Sequence, residues 1–491
     1  MIKIVNNYED KILRLYHYKQ IVEVLRTIKQ IQSAGLYADC QEAVEVLTTF
    51  VSDIDANCKK TVELLEMYYE TLNKVSIGEA DYSCLAEQIN RISKSIEIES
   101  QPHKIEAVFI THRASMSDSI ESIYLAAKAD PDCDAFWIPV PHIMHNLEGK
   151  PDIVHFEGAE HYGKGIDVTQ WQEYDIKARH PDIIFTFNAY DSFNGVSSIH
   201  PDYYSEILCD QTDLLIYIPY YVDIDDGSAD GYSQLPGCVY SHKTILSTNK
   251  MRDIYSQRFN QRYEKILGKI NDKFIALGSP KYDKAINAKR EDYELPSRWK
   301  ELVDKKKIIS YISSIGPSLE TRNTYLGKLR SILKTFQKRD DVIVWWRPHP
   351  LLESSFRALV PDLLPEYQKI VADFISEDRG IYDDTSELHR AIVWGDGFYG
   401  DWSSLVLLYQ ITGKPVMLAD TTTLLERLKP GLSDCRYESE TDTLSNYIDG
   451  IVNGKLQRRI LKNEEKGIIN ADGTAGKVIY EYAKEIILNI D

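Results

Sequence analysis

Residues 395–418 read GDGFYGDWSSLVLLYQITGKPVML. A short apolar stretch meets a tight glycine turn, an apolar helix follows over Leu405–Ile411, and a Gly-Lys-Pro turn leads into a second apolar stretch. Strand, turn, helix, turn, strand is one βαβ unit, and such units build parallel sheets covered by helices. Asp401, Ser403 and Ser404 stand where the helix begins. Serine and aspartate are favoured there as caps, and the same helix end exposes backbone N–H groups with a partial positive charge. The segment therefore reads either as simple N-capping or as an anion site suited to a pyrophosphate.

The same texture extends in both directions. Short apolar runs at Ala107–Ile110, Phe136–Val140, Ile183–Phe187, Leu214–Ile218, Phe274–Leu277, Ile308–Ile312, Val342–Trp346 and Pro415–Leu418 alternate with helix-length segments. This is too much chain for one doubly wound sheet. The expected fold is α/β of GT-B type, two Rossmann-like domains facing across a cleft, spanning 101–278 and 279–491. The crossover falls in ALGSPKYDKA, residues 276–285. Residues 1–100 form a separate helical hairpin or bundle: Leu85, Ile89, Ile92 and Ile96 repeat at helical spacing, and similar stripes run from Ile12 to Ile31 and from Val44 to Leu72. Such a module suits packing or homo-oligomerisation, with membrane docking as the alternative.

Composition narrows the function classes. The 491 residues are 43% hydrophobic, as in ordinary globular proteins, and carry a net charge of −18. That charge disfavours nucleic acid as a partner, which calls for a clustered basic surface. The seven scattered cysteines contain no C-x-x-C pair, against a disulfide framework or structural zinc. With no long apolar span, and a start MIKIVNNYEDK lacking a signal-peptide core, a cytoplasmic location is expected.

Two further stretches carry chemistry. In VWWRPHP, residues 344–350, an apolar strand runs into Arg347 and His349 with prolines flanking the histidine. Ligands of open α/β sheets sit beyond the carboxyl ends of strands. There an arginine offers paired donors to phosphate and a histidine can donate to an oxyanion or move a proton. The other reading is a capping ion pair beside a structurally satisfied histidine. In IALGSPKYDKA, residues 275–285, Gly278 permits a close backbone approach and Lys281 could meet a phosphate; an interdomain turn with surface charges explains the stretch equally well.

Taken together, G-x-P-[KR]-x-D, R-P-H-P and D-x-S-S followed by G-K-P resemble the CDP-glycerol glycerophosphotransferase family, enzymes that prime or polymerise teichoic-acid-type chains. The resemblance runs from about residue 210 to 430 and is absent from the helical N-terminus. It implies a GT-B fold, a donor nucleotide held by the C-terminal domain, and transfer of phosphoglycerol to an acceptor hydroxyl with release of CMP. It places Arg347 and His349 beside the donor phosphates, Ser403 and Ser404 on the pyrophosphate, Asp401 in the turn that orders them, and Lys281 with Asp283 at the crossover. It also implies a glycan or polyprenyl-linked acceptor and peripheral contact with the inner membrane face. No organic cofactor is expected. Metal dependence stays open, and the acidic run DIDD at 223–226 reads as solvated acid.

The chain departs from the family twice. A Trp-His-Gly motif is usual in the N-terminal domain, whereas LLIYIPYYVDID offers Tyr217, Tyr220 and Tyr221 without a histidine. An acid is usual four places after the second serine, where Leu408 stands. The acceptor-side base must come from elsewhere. His112, in FITHRASMSDS beside Arg113 and Ser115, is the first choice, and His142, His145, His155 and His161 are further candidates. Asn188, Tyr190 and Asp191 in FNAYDSFN read as an acceptor-recognition loop or a well-capped turn. Besides the transferase, a GT-B glycosyltransferase using a nucleotide sugar, a nucleotide-sugar 2-epimerase and a non-catalytic scaffold fit parts of the pattern.

Overall fold

The computed structural model describes residues 20–488 apart from 33, 55–57, 100–103, 147–148, 164, 196, 223–228, 316–317, 320–322, 351, 386, 402, 420–434, 440–441 and 462–466. The acidic run at 223–226 and the first residues of the chain thus lie outside the described residues.

Two compact units emerge. One is helical and holds most of the first hundred residues: a helix over 20–32, then Tyr37–Ile54, Lys59–Ser76 and Ser83–Glu99. Its core is the expected stripe, with Leu85, Ile89, Ile92 and Ile96 buried against Leu47, Leu65, Tyr68 and Leu72. Two polar pairs sit within it: Thr61 Oγ1 donates to Ser95 Oγ at 3.0 Å and Tyr68 Oη to Gln32 Oε1 at 2.7 Å.

The other unit carries three sheets. Its strands in chain order are β1 Ile105–Thr111, β2 Cys133–Pro139, β3 His142–His145, β4 Pro151–His155, β5 Ile183–Thr186, β6 Ser197–Ile199, β7 Leu214–Tyr217, β8 Lys243–Leu246 and β9 Phe274–Ala276. There follow β10 Lys307–Ser313, β11 Val342–Pro348, β12 Ile381–Tyr382, β13 Gly397–Gly400, β14 Val416–Leu418 and β15 Arg436–Tyr437. The first six-stranded sheet has the order β2-β1-β5-β7-β8-β9 and the second β12-β11-β10-β13-β14-β15. The pairings from β1 through β9, and all those of the second sheet, are parallel. Strand β11 is buried along its whole length, as a central strand covered by helices on both faces must be. Its two indoles find partners: Trp345 Nε1 donates to Asp383 at 2.9 Å and Trp346 Nε1 to Ser313 Oγ at 3.1 Å.

Each sheet reverses its direction of growth once. In the first the reversal lies between β1 and β5, in the second between β10 and β13. The loops leaving adjacent strands diverge at such a point and leave a crevice at the carboxyl ends. The sequence pattern anticipates mainly parallel pairing, and β4-β3-β6 adds a small antiparallel sheet. His142 and His145 follow β2, as the first and last residues of β3. The strand β8 also escaped the sequence reading, because Lys243-Thr244 dilutes its apolar run.

The carboxyl ends of the two large sheets face each other, as in a GT-B fold. Asp118, beyond β1, touches His389, which opens the helix after β12. The chain also returns from the second sheet to the first. Gly278 holds φ +94, and a side chain there would meet the Ile469 carbonyl at 2.3 Å. The close approach expected at this glycine is thus to the chain's own backbone.

Candidate functional site

Of the residues expected on the donor side, His349, Asp401 and Ser403 come together at the second reversal point because β10 is flanked by β11 and β13. The turn leaving β10 binds both neighbours: His349 N donates to Ser313 O at 2.9 Å, and Ser314 N donates to Asp401 Oδ2 at 2.8 Å. Asp401 N in turn donates to Ile312 O at 3.1 Å. The R-P-H-P and D-W-S-S segments, far apart in sequence, are thereby pinned to one turn. Ser403 precedes the helix Ser404–Ile411 in an extended conformation and makes no side-chain cap. Among the described residues its buried Oγ has no hydrogen-bond partner, a costly state that a ligand oxygen would relieve. His349 is exposed at the mouth of this crevice, and local desolvation lowers its pKa below the ordinary imidazole value.

Arg347 and Lys281 do not reach this crevice as free cations. The Arg347 guanidinium is buried, with Nη1 on Asp383 Oδ2 at 2.8 Å and on Glu387 O at 3.3 Å, and Nη2 on Thr385 O at 2.5 Å. Asp383 also accepts from Thr385 N and Oγ1. The arginine thus fixes the turn that opens the helix Leu388–Trp394, where Glu387 caps His389 N at 3.1 Å.

That helix start leads to a buried charge cluster. His389 Nε2 and Asp118 Oδ2 lie 2.9 Å apart, and Lys281 Nζ donates to Asp118 Oδ1 at 2.5 Å. All three side chains are buried. Burial alone would raise the Asp118 carboxyl, but the Lys281 ammonium and the His389 hydrogen bond outweigh it and hold the group well below the usual carboxylate range. Asp283, two residues on from Lys281, accepts from Ser122 Oγ at 2.8 Å and from the N–H groups of Ala475 and Gly476 at 3.0 and 2.7 Å. It caps the C-terminal helix Ala475–Leu488 from outside that helix.

The first reversal point holds a cavity of about 230 Å³ lined by His112, Arg113, Phe187, Asn188, Tyr190 and Tyr220, among others. Three of the expected acceptor-side residues therefore share one wall. The His112 ring packs 4.9 Å from Phe187 and 6.3 Å from His142, centroid to centroid. Burial, then Arg113 and His142, push His112 down to about 3. Burial, then Arg113 and His155, push His142 down to about 4. Both rings are neutral at physiological pH. Asn188 Nδ2 donates to Asp191 Oδ1 at 2.7 Å, and the hydroxyls of Tyr190 and Tyr220 lie 3.1 Å apart. His142 stands behind His112 and does not line the cavity, and none of the donor-side residues does.

No family model matches the chain, and no curated protein matches it. Solved structures with a similar course of the chain include a UDP-N-acetylglucosamine 2-epimerase at TM-score 0.48 and 12% identity, covering 78% of this chain and 97% of the other. The S. aureus MnaA–UDP complex aligns at 0.44 and 13%, covering 79% and 97%. The wall teichoic acid polymerase TagF aligns at 0.43 and 13%, covering 88% and 98%. Likenesses this distant carry no argument about substrate or reaction, and the architecture rests on the two sheets themselves.

Asp118, His389 and Asp383 were not singled out in the sequence. Asp118 lay inside the stretch FITHRASMSDS, but its partners are distant in sequence and no local pattern announces them. Among the described residues no group of three or more His, Cys, Asp or Glu side chains is placed to hold a metal ion, and no helix is long and apolar enough to cross a membrane.

Proposed function

We propose that this chain transfers glycerol-phosphate, or a related polyol-phosphate, from a CDP-activated donor to a hydroxyl of a cell-envelope glycan or lipid-linked acceptor. The observation that carries this reading is the joining of R-P-H-P and D-W-S-S at the β10/β13 reversal point, with the Ser403 hydroxyl buried beside a helix N-terminus and without a partner among the described residues. In this reading Ser403, Ser404 and the helix start receive the pyrophosphate, Asp401 holds their turn, and His349 donates to a phosphate oxygen. Arg347 and Lys281 act indirectly, by fixing the turn and the meeting of the two sheets. The acceptor oxygen attacks the phosphorus bearing the polyol, the P–O–P bridge breaks, and CMP leaves with the bridging electron pair. His112, which lines the acceptor cavity, accepts the hydroxyl proton once the negative charge of a bound donor offsets the burial that disfavours its imidazolium.

One observation favours a second reading, a glycosyltransferase using a nucleotide sugar. Leu408 occupies the position of the ribose-binding acid and is fully buried in the core. The deciding assay incubates the protein with CDP-glycerol and a cell-envelope acceptor fraction and measures CMP. Release is expected, with His349→Ala and Ser403→Ala each lowering it at least about tenfold while leaving the melting temperature in place. Absence of CMP together with nucleotide release from a UDP-sugar would overturn the phosphotransferase reading.

A further inference from the structure

A cavity of about 660 Å³, within the size range of ligand pockets, lies at the amino ends of the second sheet's strands, opposite the carboxyl-end crevice. Lys307 begins β10, Asp396 precedes β13, and Thr412 and Lys414 precede β14. Among the described residues the cavity is lined by Lys289, Arg290, Lys307, Lys414 and Arg458, against a single carboxylate, Asp396. In a chain of net charge −18 such a concentration of cations is a local inversion. Ile392, Ile451 and Leu456 supply an apolar wall.

The cations are only partly compensated by the fold. Lys414 Nζ donates to the carbonyls of Ile392, Val393 and Gly395, neutralising the C-terminal end of the helix Leu388–Trp394. Arg290 lies over the Trp394 ring and donates to Trp394 O at 3.1 Å, and Arg458 Nε donates to Thr412 O at 2.8 Å. Those partners are neutral carbonyls and a ring face, so the positive charge remains. Lys307 is 3.7 Å from Asp396. The residual field is visible at Lys414, which burial first, and then Arg290 and Arg458, push down to about 7.

We infer that this cavity is a second ligand site, for a small organic phosphate whose phosphoryl group meets Lys289, Arg290, Lys307 and Arg458 while its organic part lies on the Ile392–Ile451–Leu456 wall. The site is separate from the donor crevice, because β10 runs between the two: Lys307 at its start lies at the cavity, and Ser313 at its end lies in the turn that joins R-P-H-P and D-W-S-S. That strand can pass a displacement from one end to the other.

Calorimetric titration with AMP tests the inference on the full chain. A His349→Ala/Ser403→Ala background removes the crevice as a competing site and keeps the outcome independent of the proposed reaction. The protein is expected to bind AMP alike in that background and unaltered, and to bind inorganic phosphate more weakly than AMP. Adding Lys289→Gln and Lys307→Gln, both exposed positions, should weaken AMP binding at least about tenfold with an unchanged melting temperature. The inference is overturned if AMP binding survives the two lysine substitutions, if it disappears in the His349→Ala/Ser403→Ala background alone, or if the unaltered protein binds no AMP at millimolar concentration.

Discussion

Replacing Asp118 by alanine should be among the most destabilising single changes in the α/β unit. The carboxylate is buried and holds Lys281 at 2.5 Å and His389 at 2.9 Å. Removing it leaves a buried ammonium without its counter-charge, which typically costs about 3–5 kcal/mol. Against a total stability of about 5–15 kcal/mol, that is a large fraction. Removing both partners is different: a buried ion pair exchanged for apolar groups is often neutral or better. Asp118→Ala/Lys281→Met should therefore recover most of the loss seen in Asp118→Ala alone. Urea unfolding followed by tryptophan fluorescence reads both variants.

Acid supplies an independent arm. The folded Asp118 pKa is depressed below the unfolded value of about 3.9, so the unfolded chain takes up the proton first. The stability this group contributes is complete above about pH 4 and is lost as pH falls through the folded value. Asp118→Ala should lack that part of the acid slope. If the single variant loses less than about 1 kcal/mol, or if the double variant is no more stable than the sum of the two single losses, the cluster does not tie the sheets as argued.

Arg347→Lys should unfold at lower denaturant even though charge is kept, because one ammonium cannot reproduce the fork to Asp383, Thr385 and Glu387; an unchanged midpoint would place the arginine outside the scaffold. The ring C–H resonances of His112 and His142 should not titrate between pH 5 and 8, since burial holds them near 3 and 4. Both shifts are downward, so the unfolded histidines bind protons first on acidification, and stability should fall between about pH 6.5 and 4. Leu408→Glu should destabilise by about 4–7 kcal/mol, the cost of a 3–5 unit shift for a carboxyl in that core site, and should confer no added nucleotide affinity.

The fold was legible because its signals are local and repeated. Val342–Trp346 is a continuous apolar run and Ile308–Ile312 is broken only by Ser310, as suits short strands buried on both faces, and each is followed by a helical stripe. The Leu85-Ile89-Ile92-Ile96 stripe maps onto a helix face buried in the first unit for the same reason. What local pattern cannot show is partner choice. The antiparallel β4-β3-β6 sheet is set by which edges meet, and β4 itself is exposed along its length, so no burial signal marks it.

The same distinction explains the site. Motif reading located the carboxyl ends of β11 and β13, and the strand order brings both to one turn through Ser313 and Ser314. It could not say which side chain at a strand end faces the ligand and which faces the protein. Arg347 and His349 are two residues apart, so in an extended chain they would share a face. The strand ends at Pro348, and past it the chain turns away: Arg347 stays inside on Asp383 while His349 stands exposed. Lys281 has the same fate, drawn inward by a carboxylate far away in sequence. A cation next to a phosphate motif is as well explained by a buried acid as by a ligand, and only the position of that acid in space separates the two. Ser403 is the converse case. Its hydroxyl looked like an ordinary cap, and its lack of a partner among the described residues is what makes it the better candidate for the donor.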